Sequence, residues 1–448
     1  MKLRSERFGA LALILAVVPA VLLWRTAGEA WQVPVIDPDL WWQLWAGEQM
    51  LDGTFPRHNT FSWTAPETRW VTHEPIVALT YAWAGIGAIG WIRGLVVTSA
   101  YAMVLHLATR PASAWATAFA VAWATPLVVL GTTERALSWG NLFLAAVGGL
   151  ALQGTRKALL AAAALVGVWA NVHGSFVIGV LWLLLTNWRF GLLGAALSLV
   201  NPNGWAVWEL VTGYGLGTGA QGVVHQFVSE WLPLDLTTRA GAVKAGCLVI
   251  SGALVFRARP GWGRELELWR PRILWLVTTW LAIRHARYSD VAGIALLPFV
   301  ARELEARLPA RVGPSPVLPF LVLMGLTAVL SPRPSIPDER YPRQIVQYIP
   351  ADSRIWNDFH LGGFLGYHGR AVFWDSRNDC YPEAVFKDGV AVMRMTHGWL
   401  DVLDRWRVDT VVTAQPVLRD ALAHEGFQLR GQSGGVSVLV RSRDVDRD

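Results

Sequence analysis

The chain has 448 residues, of which 53% are hydrophobic and only 16% charged, with 26 tryptophans and a formal charge of +6. Soluble domains carry about 25% charged residues, whereas apolar runs near the ~20 residues of a bilayer crossing recur here as far as Leu330. A single soluble domain is excluded. Nucleic-acid binding is excluded too, because the basic residues sit in short links between apolar runs and form no patch interleaved with stacking aromatics.

The first apolar run, 8–24, follows the basic start MKLRSER. Its apolar stretch exceeds that of a signal peptide and no A-x-A site follows, so an uncleaved first helix with a cytoplasmic N-terminus is expected. Placing Arg110, Arg156, Lys157, Arg189 and the links 256–272 and 302–311 inside gives about eleven crossings. On that path 74–90 lies at the outer interface or re-enters, and does not span.

The opening loop, 26–90, carries DPDLWWQLWAGEQMLDGTFPRHNTFSWT from 37 to 64. Asp37-Pro38 reads as a helix start, with aspartate at the N-cap and proline at the first helical position. Leu40, Leu44, Gly47 and Leu51 then share one side, and Trp41, Trp45, Glu48 and Asp52 the adjacent one, which predicts an amphipathic helix resting at the interface. Asp37 either only caps or works with Asp39, which has the stronger functional case because a cap already precedes it. Carboxylates beside a membrane act as a general base toward a hydroxyl or hold a hard divalent cation, and spacing does not separate the two. His73 and Glu74 close the same loop, as a helix start or as a further polar pair.

Further along, Glu134 and Arg135 begin an apolar run and are placed to pair with each other. Asn171 and His173 occupy a break between short apolar runs, and Glu230 lies on an outer loop. RHARYSD (284–290) sits between the runs 273–283 and 291–300, each too short to cross a bilayer alone. Short segments bracketing charge put that charge at membrane depth, where Arg284, His285 and Arg287 would suit a phosphate. The plainer alternative is a helix end with snorkelling arginines.

At Ser331 the composition changes. The polar, proline-rich link 332–342 leads into short expected strands (RIW, AVFWDS, DTVVTA, VSVLV) and helices (YPRQIVQYI, PEAVFKDGVAVM, PVLRDALAHEG). The fold class is therefore a polytopic α-helical membrane protein with a small C-terminal α/β domain on the extracytoplasmic side, divided as 1–330 and 331–448. Cys247 and Cys380 form no metal or redox spacing, and no disulfide between them is expected.

With these residues, the chain resembles the C-type glycosyltransferase superfamily (GT-C), polytopic enzymes that take sugars from polyprenyl-phosphate donors on the extracytoplasmic face. Their hallmark is an acidic motif in the first outer loop, the place that Asp37 and Asp39 occupy. The run 39–70 is similar to the opening loop of oligosaccharyltransferase catalytic subunits, where an aspartate and aromatic residues start a helix ending in a glycine, proline and Phe-Ser turn, matched by Gly53 to Ser62. The segment 355–379 looks like their WWDYG segment and the strand after it, with Trp356, Asp358, Phe359, Gly362 and Asp375 near the expected places. There is no WWDYG string, and the HLGG insertion changes the spacing, so peptide-sequon recognition is not implied. The chain is also similar to bacterial membrane proteins with the same opening loop, arginine-histidine turn and C-terminal ending.

The resemblance implies a glycosyltransferase of the bacterial inner membrane that moves a sugar from a polyprenyl-phosphate-linked donor to an extracytoplasmic acceptor. Asp39, with Asp37, would be catalytic or would hold a divalent cation, Mg or Mn, which some branches use. Arg284, His285, Arg287, His73, Glu74, Glu134, Arg135, His173, Glu230, Trp356, Asp358 and Asp375 would contact substrate. The partners implied are the lipid-linked donor and membrane lipid. The competing class is a non-catalytic membrane protein, a transporter of lipid-linked saccharides or an envelope-assembly scaffold, which needs the phosphate site but not the acid.

Overall fold

The computed structural model describes residues 2–109, 113–128, 133–216, 231–257, 266–308 and 314–442. The chain forms two compact units, one of Met1–Val33, Gly90–Val207 and Val228–Pro334, the other of Pro34–Ile89, Trp208–Phe227 and Ser335–Asp448. The opening-loop residues Pro34–Ile89 group with Ser335–Asp448 and not with the helices that flank them.

The first unit is helical. Among the described residues, four helices are long and apolar enough to cross a membrane, at Ile14–Gln32, Ile86–Thr109, Ala136–Gln153 and Arg239–Arg257. Shorter apolar helices, Ala114–Ala124, Phe176–Thr186 and Val317–Leu330, accompany them. The expected count of about eleven crossings goes beyond these four. Large apolar side chains stand exposed on this unit, among them Val249, Ile250, Leu276, Leu318 and Leu326, a surface that suits lipid tails better than water. The protein is a multi-pass membrane protein.

Helices of this unit meet through small residues and through indole N–H groups that find main-chain or hydroxyl acceptors. A side chain at Gly148 would collide with the Trp182 ring. Trp24 Nε1 donates to Thr327 Oγ1 at 2.7 Å, and Trp123 Nε1 to the Cys247 carbonyl at 2.7 Å. Where water is scarce, such bonds are the available way to satisfy a polar edge.

RHARYSD differs from expectation in its flanks. The apolar runs belong to longer helices, Leu266–Arg284 and Ser289–Glu305, with only a 3₁₀ turn, Ala286–Tyr288, between them. At 1.5 Å per residue these helices reach roughly 25–29 Å, yet neither is among the four described helices long and apolar enough to cross a membrane. Helix formation extends through Leu266–Arg272 and Ala301–Glu305, which apolarity alone leaves out.

The second unit holds a four-stranded sheet of order β1-β2-β4-β3, with β1 Ile355–Asn357, β2 Thr410–Thr413, β3 Phe427–Ser433 and β4 Val436–Arg441. β1 and β2 are parallel, and β2–β4 and β4–β3 antiparallel. Every residue of β2 is buried, as a central strand requires. The β3–β4 hairpin turns at Gly434-Gly435, where Gly434 has φ +55°. β3 was not legible beforehand because its burial pattern is largely exposed. The helices Glu383–Met393 and Pro416–His424 fall within segments expected to be helical, whereas YPRQIVQYI is 3₁₀ over Arg343–Tyr348.

AVFWDS is not a strand of this sheet. Val372 instead forms a parallel bridge with Ser62 of the opening loop. The Val372 N–H donates to the Phe61 carbonyl at 2.8 Å, and the Trp63 N–H to the Val372 carbonyl at 3.1 Å. The Asn357 side chain at the end of β1 accepts from the Phe373 N–H and donates to the Trp374 carbonyl, both at 3.0 Å. These partners satisfy the segment's polar backbone without a ladder.

Candidate functional site

The helix Asp39–Leu51 starts two residues after Asp37. Asp37 Oδ1 accepts the Asp39 N–H at 3.0 Å, the bond that a capping carboxylate makes to an early helical amide. The helix ends at Gly53, φ +86°, with the Thr54 N–H on the Gln49 carbonyl at 2.8 Å. The left-handed residue is what this ending needs, and glycine takes it without a Cβ penalty.

The expected interfacial float is a correction. Leu40, Trp41, Trp42, Gln43, Leu44, Ala46 and Gly47 are all buried in protein. Trp41 packs at 5.0–5.7 Å from the rings of Tyr341, Phe364, Tyr367 and His368. Trp42 meets Trp70 edge-on at 5.6 Å, and Trp45 meets Phe61 at 4.8 Å. Gly47 lies so close to Ala78 of the helix Pro75–Ala84 that an added Cβ would strike its carbonyl. Helical spacing identifies which residues share a face but not whether that face meets lipid or protein. At ten residues, about 15 Å long, Pro75–Ala84 does not span a bilayer.

Asp39 is half-buried, and its Oδ1 accepts the Trp42 indole N–H at 3.2 Å. The bond fixes the carboxylate against a ring that is itself held by Trp70. Glu74 Oε2 accepts from Gln43 Nε2 at 2.7 Å, and Glu74 Oε1 lies 3.3 Å from His73 Nε2. Burial alone would lower the His73 pKa, but the Glu74 carboxylate, with Asp379 behind it, outweighs that and raises it to about 9. His73 is therefore an imidazolium at neutral pH, paired and not a free base.

Asp358 and Asp375, expected near substrate, are packed into the same unit. The Asp358 carboxylate accepts from Thr413 Oγ1, the Ala414 N–H at 2.6 Å and Gln415 Nε2 at 3.0 Å. Burial raises its pKa against the pull of those bonds. Asp375 is fully buried and grips Arg377 through Nε at 3.0 Å and Nη2 at 2.6 Å, while Tyr381 Oη donates to it at 2.8 Å. Arg377 lies between the Phe61 and Trp70 rings, 4.5 and 4.8 Å from their centroids. Trp356 is fully buried within β1.

The remaining candidates belong to the membrane unit. Glu134, expected to pair with Arg135, is brought by the structure to Arg93. It lies 3.1 Å from Arg93, and both side chains are fully buried. Arg93 also donates to the carbonyls of Ala30 and Val33, at 2.9 and 2.6 Å. The Arg135 carbonyl accepts the Ser138 N–H as the next helix starts. His173 Nδ1 bonds Ser175 Oγ at 2.7 Å, beside Gly140, and Asn171 ties the Gly167 and Val200 carbonyls. His285 is buried with Nδ1 on the Trp231 carbonyl at 2.7 Å. Arg287 is half-buried over the Trp231 ring at 4.6 Å, whereas Arg284 is exposed over Trp280 at 5.5 Å. Glu230 lies outside the described residues.

Sequence reasoning missed Asn59, Arg377, Asp379, Tyr381 and Gln43 beside the opening loop, and Arg93, Asn141 and Asp290 in the membrane unit. Asn141 Nδ2 donates to the buried Asp290 carboxylate at 2.8 Å. A signal existed for the latter, since an acid within an apolar segment is a candidate by itself. Among the described residues no three His, Cys, Asp or Glu side chains stand together as metal ligands. Two aspartates, one of them capping its helix, do not by themselves make the six or more oxygens a hard cation takes. No step is assigned to a metal.

No protein-family model matches the chain, and no curated protein sequence does. Among solved structures, the Archaeoglobus fulgidus oligosaccharyltransferase, tethered with an acceptor peptide containing the NVT sequon, is similar over 97% of this chain and 74% of its own, at 11% identity and TM-score 0.54. ArnT from Cupriavidus metallidurans aligns over 97% of both chains in its apo state, with 13% identity and TM-score 0.37. Bound to undecaprenyl phosphate, it aligns over 98% of both, with 14% identity and TM-score 0.37. The chain has a GT-C-like fold.

Proposed function

We propose that the protein is a glycosyltransferase that moves a sugar from a polyprenyl-phosphate-linked donor to a hydroxyl acceptor at the extracytoplasmic face of a bacterial inner membrane. The observation that carries the reading is Asp39, a half-buried carboxylate oriented by Trp42 on a helix enclosed by its own unit, in a chain of GT-C-like fold. Preorganised groups of this kind serve chemistry better than mobile ones, because reorganisation is avoided during reaction.

In the step proposed, Asp39 takes the proton of the acceptor hydroxyl as its oxygen attacks the anomeric carbon. The bond from that carbon to the phosphate oxygen breaks, and the polyprenyl phosphate leaves with the electron pair. As a separate part of the proposal, Arg287, and Arg284 less directly, would bind an anionic phosphate of a lipid carrier. Asp37 keeps the helix start in place. A chelator arm in the assay reads any need for Mg or Mn.

The test is sugar transfer by the purified protein in lipid nanodiscs, supplied with polyprenyl monophosphate- and diphosphate-linked hexoses. Wild type is expected to release the sugar from its carrier. Asp39→Asn, with an unchanged melting temperature, is expected to be slower by 100-fold or more. Full activity in Asp39→Asn removes Asp39 from the chemistry. Absence of transfer by wild type with every donor favours the transporter or scaffold reading.

A further inference from the structure

The helix Arg239–Arg257 is long and apolar enough to cross a membrane, yet it carries a lysine in its second turn. Gly241, Leu248, Ser251 and Val255 of this helix are buried, and steps of three and four residues put Lys244 on that same stripe. Val243 and Ile250, on another face, are exposed. A snorkelling cation sits at a helix end, as exposed Arg239 does, and not among the residues that pack against protein. Lys244 is half-buried, so its side chain keeps accessible surface.

The helix packs against Ser289–Glu305, where Asp290 stands within electrostatic reach of Lys244. The Asp290 carboxylate is engaged elsewhere, accepting Asn141 Nδ2 at 2.8 Å and the Val291 N–H at 2.6 Å. Among the described residues Lys244 itself makes no hydrogen bond and no ion pair. Arg287, half-buried over the Trp231 ring, acts on the same Asp290 carboxylate. A charged residue on the inward side of a membrane helix is a candidate for function.

The chemistry narrows what would meet it. An ammonium offers three donors and no acceptor, so its complement accepts and is negative. That excludes a metal ion and favours a phosphate over a neutral hydroxyl. Val243 and Ile250 on the same helix, and Trp280 and Ile283 on the helix Leu266–Arg284 packed beside it, expose large apolar surface. Cations flanked by such surface suit an amphiphile with an anionic head better than a free anion.

We infer that Lys244 is a binding residue for the phosphate of a polyprenyl phosphate, acting with Arg287 in the membrane unit. The inference rests on the reading of Arg287 as a contact of a lipid carrier's phosphate, and adds to it a residue on a different helix.

The test is native mass spectrometry of the full-length protein titrated with undecaprenyl phosphate. Undecaprenol, phosphatidylglycerol and inorganic phosphate are the comparison arms. Wild type is expected to bind undecaprenyl phosphate saturably, and about tenfold or more tighter than the two other lipids. Lys244→Met, which keeps an apolar stem and removes the charge, is expected to weaken binding by about tenfold or more. Lys244→Arg is expected to stay within about threefold of wild type, since the charge is kept. The double variant Lys244→Met/Asp290→Asn separates ligand contact from a structural pairing. An ammonium that only balances Asp290 predicts wild-type binding there, whereas the proposed contact predicts binding as weak as in Lys244→Met. The double variant also serves where Lys244→Met does not fold, because it strands no charge.

Absence of saturable undecaprenyl phosphate binding, or undiminished binding in either folded variant, overturns the site. Equal binding of phosphatidylglycerol overturns the polyprenyl carrier in favour of a general anionic-lipid surface. Displacement by inorganic phosphate at equal affinity overturns the amphiphile. Lys244-dependent binding without sugar transfer leaves the site standing and removes the transferase reading, whereas transfer with Lys244-independent binding removes Lys244 alone.

Discussion

Arg93 Nη1 lies 3.1 Å from Glu134 Oε2 with neither side chain exposed to any extent. Two charges withdrawn from solvent hold each other, and removing one strands the other, typically at about 3–5 kcal/mol. Glu134→Ala is therefore expected to destabilise the detergent-solubilised protein by that order in thermal or denaturant unfolding. Arg93→Met is expected to cost more than Glu134→Gln, because the carbonyls of Ala30 and Val33 lose their donor as well.

Gly47 predicts a second, independent loss. Its Cβ would meet the Ala78 carbonyl, which is backbone and does not swing aside. Gly47→Val is expected to separate the helices Asp39–Leu51 and Pro75–Ala84 and to cost at least 1–3 kcal/mol, as overpacking typically does. The melting temperature checks the loss. Limited proteolysis near residue 53 is expected to accelerate.

His73 sets an alkaline limit. Its folded pKa of about 9 stands above the ordinary 6.5, so the protonated, Glu74-paired form is favoured in the native state. The resulting stability is complete below pH 6.5 and is lost as pH rises through 9. With the side chain 21% exposed, the effect is on the order of 2 kcal/mol. Melting temperatures of wild type are expected to fall between pH 7 and 10, and those of His73→Gln to fall less over the same window.

Asp358 is expected to act on stability and not on substrate. Asp358→Ala strands the Ala414 N–H and the Thr413 and Gln415 side chains. A loss of about 2–3 kcal/mol is expected. Transfer per folded molecule is expected to be unchanged below the melting transition. A fall in kcat without a fall in melting temperature would instead put Asp358 in contact with substrate.

Arg284 and Arg287 separate by burial. Arg287 over Trp231 is half-buried and Arg284 is exposed, and a charge shielded from water acts more strongly on a phosphate. Arg287→Ala is expected to weaken binding of polyprenyl phosphate at least tenfold more than Arg284→Ala. Arg287→Lys is expected to recover only part of the loss, since an ammonium lacks the planar fork.

The sequence alone makes the apolar, membrane-like character, the change of composition at Ser331 and the helix that follows Asp37-Pro38 legible, because each rests on local composition or spacing. Asp37 as a cap was readable for the same reason, since its partner is two residues away. The partner of Glu134 was not readable, as Arg93 stands 41 residues off and Arg135 next door. AVFWDS looks like a strand by propensity, yet it bonds to Phe61 and Trp63, more than 300 residues earlier. Propensity describes what a segment can adopt, and only its neighbours decide what it pairs with.

The opening loop divides along the same line. That 37–64 holds a helix with an acid ahead of it is written in the residues themselves, although the helix begins at Asp39 and not at Pro38. That this helix is enclosed by protein, with Asp39 tied to Trp42 and linked by Trp70 to Arg377, comes from tertiary structure. The reason is physical. Caps and helical faces are set by neighbours within one or two turns, whereas burial, ion pairing and the orientation of a carboxylate depend on side chains brought together by chain closure over hundreds of residues.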